Sequence, residues 1–216
     1  MPAALASVVW GLGMGRSGIS GAVLAGGLGL RMGRPKVELH VDGEPLLLRQ
    51  LRLLAEAGIE ERWVSLAPGQ SVPEFLPREI GVLADLRPGL GPLSGLERVL
   101  KAVRQPAVLV LAIDLPQLTS DFLQTILGRC TDARGCVPRV RGRYEPLAAV
   151  FPTSARTEVS RRLERGQLAL QSLVGDLVSD GTLEVLDVPE SQNPLFLNWN
   201  RPGDFHGSAS AEPFHA

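Results

Sequence analysis

Lysine is almost missing from this 216-residue chain: of its 22 basic residues only Lys36 and Lys101 are lysines, and the other 20 are arginines. Genome composition accounts for such a skew by itself, yet it makes the place of each lysine worth finding. Charge of one sign is also missing. A formal net charge of −1 gives no broad positive field, which argues against sequence-independent nucleic-acid binding. No apolar run is longer than Ala107 to Ile113, far short of the roughly 20 residues of a membrane span. Two cysteines, Cys130 and Cys136, make neither a disulfide framework nor a metal knuckle, so a reducing cytoplasm is expected. The three histidines, His40, His206 and His215, are too scattered for a metal cluster.

The length suits one domain, since domains hold about 100–200 residues. Met1 to Ile19 lack the basic start of a secretory signal and are broken by Gly11 and Gly13. They are expected to be a disordered leader (1–19), or to reflect a start at Met14. A domain over 20–206 and a disordered tail over 207–216 would follow. Short β-rich runs then alternate with amphipathic segments. Strands are predicted at Gly21–Leu24, Arg62–Leu66, Gly81–Ala84 and Ala107–Ile113, and helices at Pro45–Ala57, from Pro92 to about Val103, and after a Thr119 or Ser120 cap up to Gly128. Ala107–Ile113 is apolar on both faces, as a central parallel strand is. Beyond Gly135 the pattern loosens into Leu147–Phe151, helices at Thr153–Leu163 and Gln167–Val174, and strands near Leu183–Val188 and Leu195–Leu197. The alternation predicts an α/β fold with three layers, a doubly wound, mostly parallel Rossmann-like sheet between helices. Ligands of such sheets bind outside the carboxyl ends of the strands.

The first strand runs straight into Leu24-Ala25-Gly26-Gly27-Leu28-Gly29-Leu30-Arg31-Met32-Gly33-Arg34-Pro35-Lys36. Gly26, Gly27, Gly29 and Gly33 let the backbone approach a ligand and aim N–H groups at phosphate oxygens. Arg31 and Lys36 add charge for an anion. No Gly-Lys-Ser/Thr ends the loop, so it is not a Walker A motif, and its glycine spacing misses the dinucleotide fingerprint. Upstream, Gly13-Met-Gly15-Arg-Ser-Gly18 fits that fingerprint literally, but a strand follows it where a helix is required.

This loop resembles the signature of the molybdenum cofactor guanylyltransferase family, within the glycosyltransferase-A-like nucleotidyltransferases. Further landmarks agree in order: Asp85 ahead of Gly91-Pro92-Leu93-Ser94-Gly95-Leu96, then Asp114-Leu-Pro116, Glu145-Pro146-Leu147, and Asn198-Trp-Asn200-Arg-Pro202-Gly-Asp204. The match spans about Ser20 to Phe205. It implies Mg²⁺-dependent transfer of GMP from GTP to molybdopterin carrying molybdenum, with pyrophosphate released and the product passed to molybdoenzymes or their chaperones. The loop from Leu24 to Gly33 would cradle the triphosphate. Arg31 would fork onto its outer phosphates, and Lys36 would set a compact charge near the reacting one. The resemblance makes Asp114 the metal ligand, assigns Asp85 to the nucleotide site, and places Asn200, and more weakly Asn198, near metal or acceptor.

On residue type alone, Asp114 is either a metal-binding carboxylate or a turn aspartate before Leu115-Pro116, Asp85 a turn residue before Pro88, and the two asparagines turn formers or members of a short edge strand. Leu-Ala-Gly-Gly resembles the guanylyl branch, where the cytidylyl branch has Leu-Ala-Ala-Gly; a glycine spares a purine the crowding of a Cβ. The chain departs from the family at Pro35, Gly29 and Ala67, the last where an asparagine often serves the nucleoside. Arg134, Arg139, Arg141 and Arg143 form either an acceptor-phosphate patch or a solvated loop. Rival functions are molybdopterin cytidylyl transfer, nucleotidyl transfer to a sugar or alditol phosphate, and, from another class, non-catalytic carriage of nucleotide or pterin.

Overall fold

Ile19 to Leu24 form β1, and all six residues are buried. Alternate residues serve opposite faces, Ile19 and Val23 joining one hydrophobic cluster and Ala22 and Leu24 the other. A strand with two apolar faces belongs in the middle of a sheet covered on both sides. The computed structural model describes residues 18–26, 36–84, 89–131 and 133–199. The expected leader (but for its last two residues) and tail lie outside that range, together with Gly27, Gly29, Arg31, Gly33, Asp85 and Asn200.

After β1 come a small hairpin of β2 (His40–Val41) and β3 (Glu44–Pro45), then α1 (Leu46–Glu56), β4 (Arg62–Leu66), β5 (Gly81–Ala84), α2 (Pro92–Ala102), β6 (Ala107–Ala112) and α3 (Ser120–Leu127). The second half adds β7 (Gly135–Val140), β8 (Arg143–Tyr144), β9 (Ala148–Pro152), α4 (Arg156–Glu164), α5 (Leu170–Ser179) and β10 (Leu183–Asp187). The main sheet runs β10-β7-β9-β6-β1-β4-β5, with β8 paired to β7. β6, β1, β4 and β5 are parallel, β10 is parallel to β7, and β9 is antiparallel to both neighbours. Leucines of α1 pack with Phe122, Leu123 and Ile126 of α3 on one face; α2, α4 and α5 cover the other. Thr119 caps α3, its hydroxyl accepting from the Phe122 N–H, and Gly128 follows the last turn. The predicted three-layer, mostly parallel fold is what the chain adopts.

Differences gather in the second half. β7 went unread because Gly135, Pro138 and Arg139 spoil a strand pattern. Proline is tolerated because β7 changes partner along its length, pairing with β9 at Cys136 and with β8 from Arg139. Between them the Pro138 carbonyl accepts from the Glu145 N–H at 2.8 Å, and no ladder N–H is needed beside it. The predicted strand at Leu195–Leu197 is instead the end of a 3-10 helix, Glu190–Phe196, whose Phe196 ring meets Phe122 edge-on at 5.1 Å. Asn198 therefore sits outside any strand. The helix expected at Gln167–Val174 begins and ends later, as α5. Burial pushes the Cys130 and Cys136 thiols up to about 12, so they are packing groups and not nucleophiles.

Two glycines differ in a testable way. A methyl on Gly135 would lie 2.0 Å from the Val150 carbonyl oxygen, whereas Gly142, at φ 79°, has open space around it. Gly135→Ala should cost about 3 kcal/mol by forcing β7 from β9, and Gly142→Ala about 1 kcal/mol from backbone strain alone. Urea titration of the two variants measures both; equal losses would contradict the β7–β9 packing.

Candidate active site

The switch in winding direction falls at β1, which has β4 on one side and β6 on the other. The carboxyl ends of β1, β4 and β6 thus share one edge, where doubly wound sheets bind ligands. Main-chain bonds hold them together: the Ala25 N–H donates to the Ser65 carbonyl at 2.8 Å, and the Ile113 N–H to the Leu24 carbonyl at 3.3 Å. Of the predicted nucleotide-loop residues, Leu24 and Ala25 are buried and Gly26 is exposed.

A methyl built on Gly26 would stand 3.1 Å from the Ala67 nitrogen and 3.4 Å from its Cα. Close approach to the end of β4 therefore favours glycine here, apart from any room a purine needs. Across the same edge, a methyl on Gly95 would lie 3.2 Å from Ser65 Oγ, so α2 presses its first turn against β1 and β4. Gly91, at φ 65°, precedes the helix and Pro92 opens it. The helix dipole directs the amino end of α2 at this edge and makes it partly positive.

Lys36 starts a 3-10 turn, Lys36–Glu38, pinned by buried Val37 and Leu39. The β2–β3 hairpin follows, turned by Asp42 at φ 53° and Gly43 at φ 79°, values a two-residue hairpin favours. Leu46 then donates its N–H to the Leu39 carbonyl at 2.8 Å, tying the turn to α1. Held in this way, Lys36 Nζ donates to Asp114 Oδ2 at 2.5 Å, and the side chains are only 16% and 17% exposed. The two strongest sequence candidates, 78 residues apart in sequence, touch.

The loop that begins at Asp114 is anchored from three directions. Gln50 Nε2 donates to the Leu115 carbonyl at 2.8 Å, Arg49 Nε to the Pro116 carbonyl at 2.9 Å, and the Trp199 N–H to the Asp114 carbonyl at 3.0 Å. Trp199 belongs to the last sequence landmark, which returns to the loop after β6. The Glu145-Pro146-Leu147 landmark reaches the same end of the sheet, for the Ala112 N–H donates to the Leu147 carbonyl at 2.7 Å. Burial holds the Glu145 carboxyl above the ordinary carboxylate range, with Arg143 opposing the shift.

The arginine cluster divides, with Arg141 and Arg143 at the hairpin that joins β7 to β8 and the other two turned to β10. Arg134 pairs with Glu184 at 2.9 Å, and Arg139 forks onto Asp187 at 2.7 and 2.9 Å, along β10. A cavity of about 470 Å³ opens at the opposite, amino end of the sheet, among Glu60, Glu61, Trp63, Glu79 and Arg104. It contains none of the predicted residues, and its Glu61 is already bonded to Ser20 and Arg104. Sequence reasoning passed over two glutamines. Gln50 was detectable as the one amide on the apolar stripe of α1; Gln70, whose side chain returns to the end of β4, carries no such mark.

Among the described residues no three His, Cys, Asp or Glu side chains converge as a metal cage. Asp114 offers one carboxylate at this edge, a donor of the kind a divalent cation takes together with substrate phosphates.

Comparison with known families decides the class of this site. The model of the MobA-like NTP transferase domain matches residues 21–180. The chain belongs to the MobA-like NTP transferases. It is a nucleotidyltransferase by family. A relative from Opitutus terrae named "Probable molybdenum cofactor guanylyltransferase" is 37% identical over 191 residues, 87% of this chain and 93% of the relative. A Pyrococcus horikoshii protein of the same name is 30% identical over 86% and 96% of the two chains. Among solved structures, the Archaeoglobus fulgidus molybdopterin-guanine dinucleotide biosynthesis protein A superposes with a TM-score of 0.67 at 22% identity, covering 86% of this chain and 94% of that one. The Thermus thermophilus 2-C-methyl-D-erythritol 4-phosphate cytidylyltransferase gives 0.64 at 20%, covering 85% and 94%. These structures share the fold of the MobA-like NTP transferase described here. No helix among its described residues is long and apolar enough to cross a membrane.

The tight approach of Gly26 to Ala67 predicts that Gly26→Ala lowers unfolding stability by about 1 kcal/mol or more. A urea midpoint equal to that of the parent would show that the end of β4 yields freely.

Proposed function

We propose that this nucleotidyltransferase is a molybdenum cofactor guanylyltransferase. A phosphate of molybdopterin carrying molybdenum attacks the α-phosphorus of GTP, the bond to the β-phosphate oxygen breaks, and pyrophosphate leaves. The observation that best supports it is the Lys36–Asp114 pair at the meeting point of β1 and β6. Such a transfer asks little covalent chemistry of the protein, which positions the reactants and offsets charge.

Each member of the pair holds the other in place. An arriving triphosphate competes for the ammonium, and Lys36 then offsets negative charge growing on the reacting phosphate. Asp114 thereby becomes the carboxylate that would hold Mg²⁺, whose charge, when bound, would stabilise the departing pyrophosphate. Three hydrogen bonds to main-chain carbonyls keep the Asp114 loop still during this exchange. The first turn of α2 and the N–H groups of Gly27, Gly29 and Gly33 are assigned to the phosphates, with Arg31 on the outermost. Asp85 and Asn200 are assigned to the nucleotide and to the metal or acceptor. The bond from Trp199, the residue before Asn200, to Asp114 supports the second.

Two experiments test this reading. Incubation with Mg²⁺, molybdopterin and each of GTP, CTP, ATP and UTP should release pyrophosphate with GTP; release with CTP alone would make the protein a cytidylyltransferase, and no release at all would favour a carrier. Asp114→Asn should lower kcat at least about 10²-fold while GTP binding falls less than about tenfold, because the charge it governs grows in the transition state. Equal loss in both would reduce Asp114 to a structural residue.

A further inference from the structure

Gln50 lies on the buried side of α1, in line with Leu46 and Leu54 and beside Leu47 and Leu51, and is 1% exposed. Its Nε2 donates to the Leu115 carbonyl at 2.8 Å, and only a donor can face a carbonyl, so the orientation of the amide is settled. Its Oε1 is buried and meets no donor among the described residues. A buried acceptor in that state lowers stability, whereas leucine or methionine would fill the same place on the stripe without the loss. Core packing alone does not account for an amide at position 50.

The bond it makes does. Leu115 directly follows Asp114, and Arg49, the neighbour of Gln50, donates from Nε to the next carbonyl, that of Pro116, at 2.9 Å. One turn back on the same side of α1, the Leu46 N–H donates to the Leu39 carbonyl at 2.8 Å, and the Leu39 N–H closes the Lys36 turn on the Lys36 carbonyl at 3.2 Å. Leu46 and Gln50 stand about 6 Å apart along the axis. A single turn of helix thus grips both loops, the one that carries Lys36 and the one that carries Asp114. Their separation is set by the helix, and with it the 2.5 Å contact of Lys36 Nζ with Asp114 Oδ2.

We infer that Gln50 is a positioning residue for nucleotidyl transfer. By holding the Leu115 carbonyl to α1 it sets where the Asp114 carboxylate stands relative to Lys36 and to the reacting phosphate. This rests on the reading of Lys36 and Asp114 as the groups that serve that phosphate. A displacement of about 1 Å in such a group can slow a reaction on the order of 10²-fold, while the apolar core survives without the amide.

Gln50→Met removes the donor at nearly constant volume, and the Leu115 carbonyl keeps the Leu118 N–H at 3.4 Å. The thermal midpoint should equal or exceed the parent's. With Mg²⁺, GTP and molybdopterin, kcat for pyrophosphate release should fall at least about tenfold while the dissociation constant of GTP changes less than about threefold. Hydrogen exchange at the Trp199 N–H, which donates to the Asp114 carbonyl, should quicken as the loop loosens. Added to Asp114→Asn, the substitution should slow the reaction little further, because both act through one carboxylate. Parental kcat in the folded Gln50→Met variant, parental exchange at Trp199, or a factor that multiplies in full with that of Asp114→Asn overturns the role of Gln50. If Gln50→Met does not fold, Arg49→Met, at the partly exposed neighbouring position, carries the same expectations for kcat and exchange. Full activity of Asp114→Asn overturns instead the reading of the reacting pair.

Discussion

Everything at the active edge hangs from β1 and its two parallel ladders. Because β4 and β6 pair with opposite sides of one strand, the loops leaving all three emerge side by side, and groups far apart in sequence meet without long excursions. The ladders are enforced by burial: every residue of β1 and of β6 is enclosed, and slipping either strand by one residue would exchange the sets that face the two helical layers. Register in the core therefore fixes geometry at the rim. The Lys36–Asp114 contact depends on it, since the two ends of that contact are carried by separate loops with no covalent reason to coincide.

The pair is informative because of what encloses it. An exposed ion pair adds little stability and constrains little. Here both side chains are largely withdrawn from water, and the loop that carries the aspartate is fastened by a glutamine, an arginine and a distant tryptophan N–H. Such investment of hydrogen bonds in one short loop marks a place where position matters. Helix α2 completes the surroundings by bringing its amino end against the same edge, which only Gly95 makes close enough.

Much of this was legible in the sequence, and the failures have physical causes. Strands such as Ala107–Ala112 announce themselves by being apolar on both faces, and α3 by its threonine cap and terminal glycine. β7 concealed itself because a strand that changes partners can carry a proline, and Glu190–Phe196 because a short 3-10 helix has no period to read. At the site, Lys36 and Asp114 were identifiable one by one, but their contact is a tertiary fact. The glycine at 26 was read as room for a base, while the packing also shows a backbone neighbour that a Cβ would crowd. Gln70 was invisible because a turn folds it back onto Ala67, and the ion pairs of Arg134 and Arg139 could not be read because their carboxylate partners lie some fifty residues away on β10.

The bond from Trp199 to Asp114 also sets an order of events during synthesis. The aspartate leaves the ribosome about 85 residues before the tryptophan that steadies it, which at roughly 5–20 residues per second is a delay of about 4–17 s. Throughout that interval the nascent chain can build β1, β4 and β6 and carry both partners of the ion pair, yet lacks the last clasp on the loop after β6. Until Trp199 arrives that loop is held by Gln50 and Arg49 alone, so a prematurely terminated chain would hold a sheet with the loop incompletely fastened.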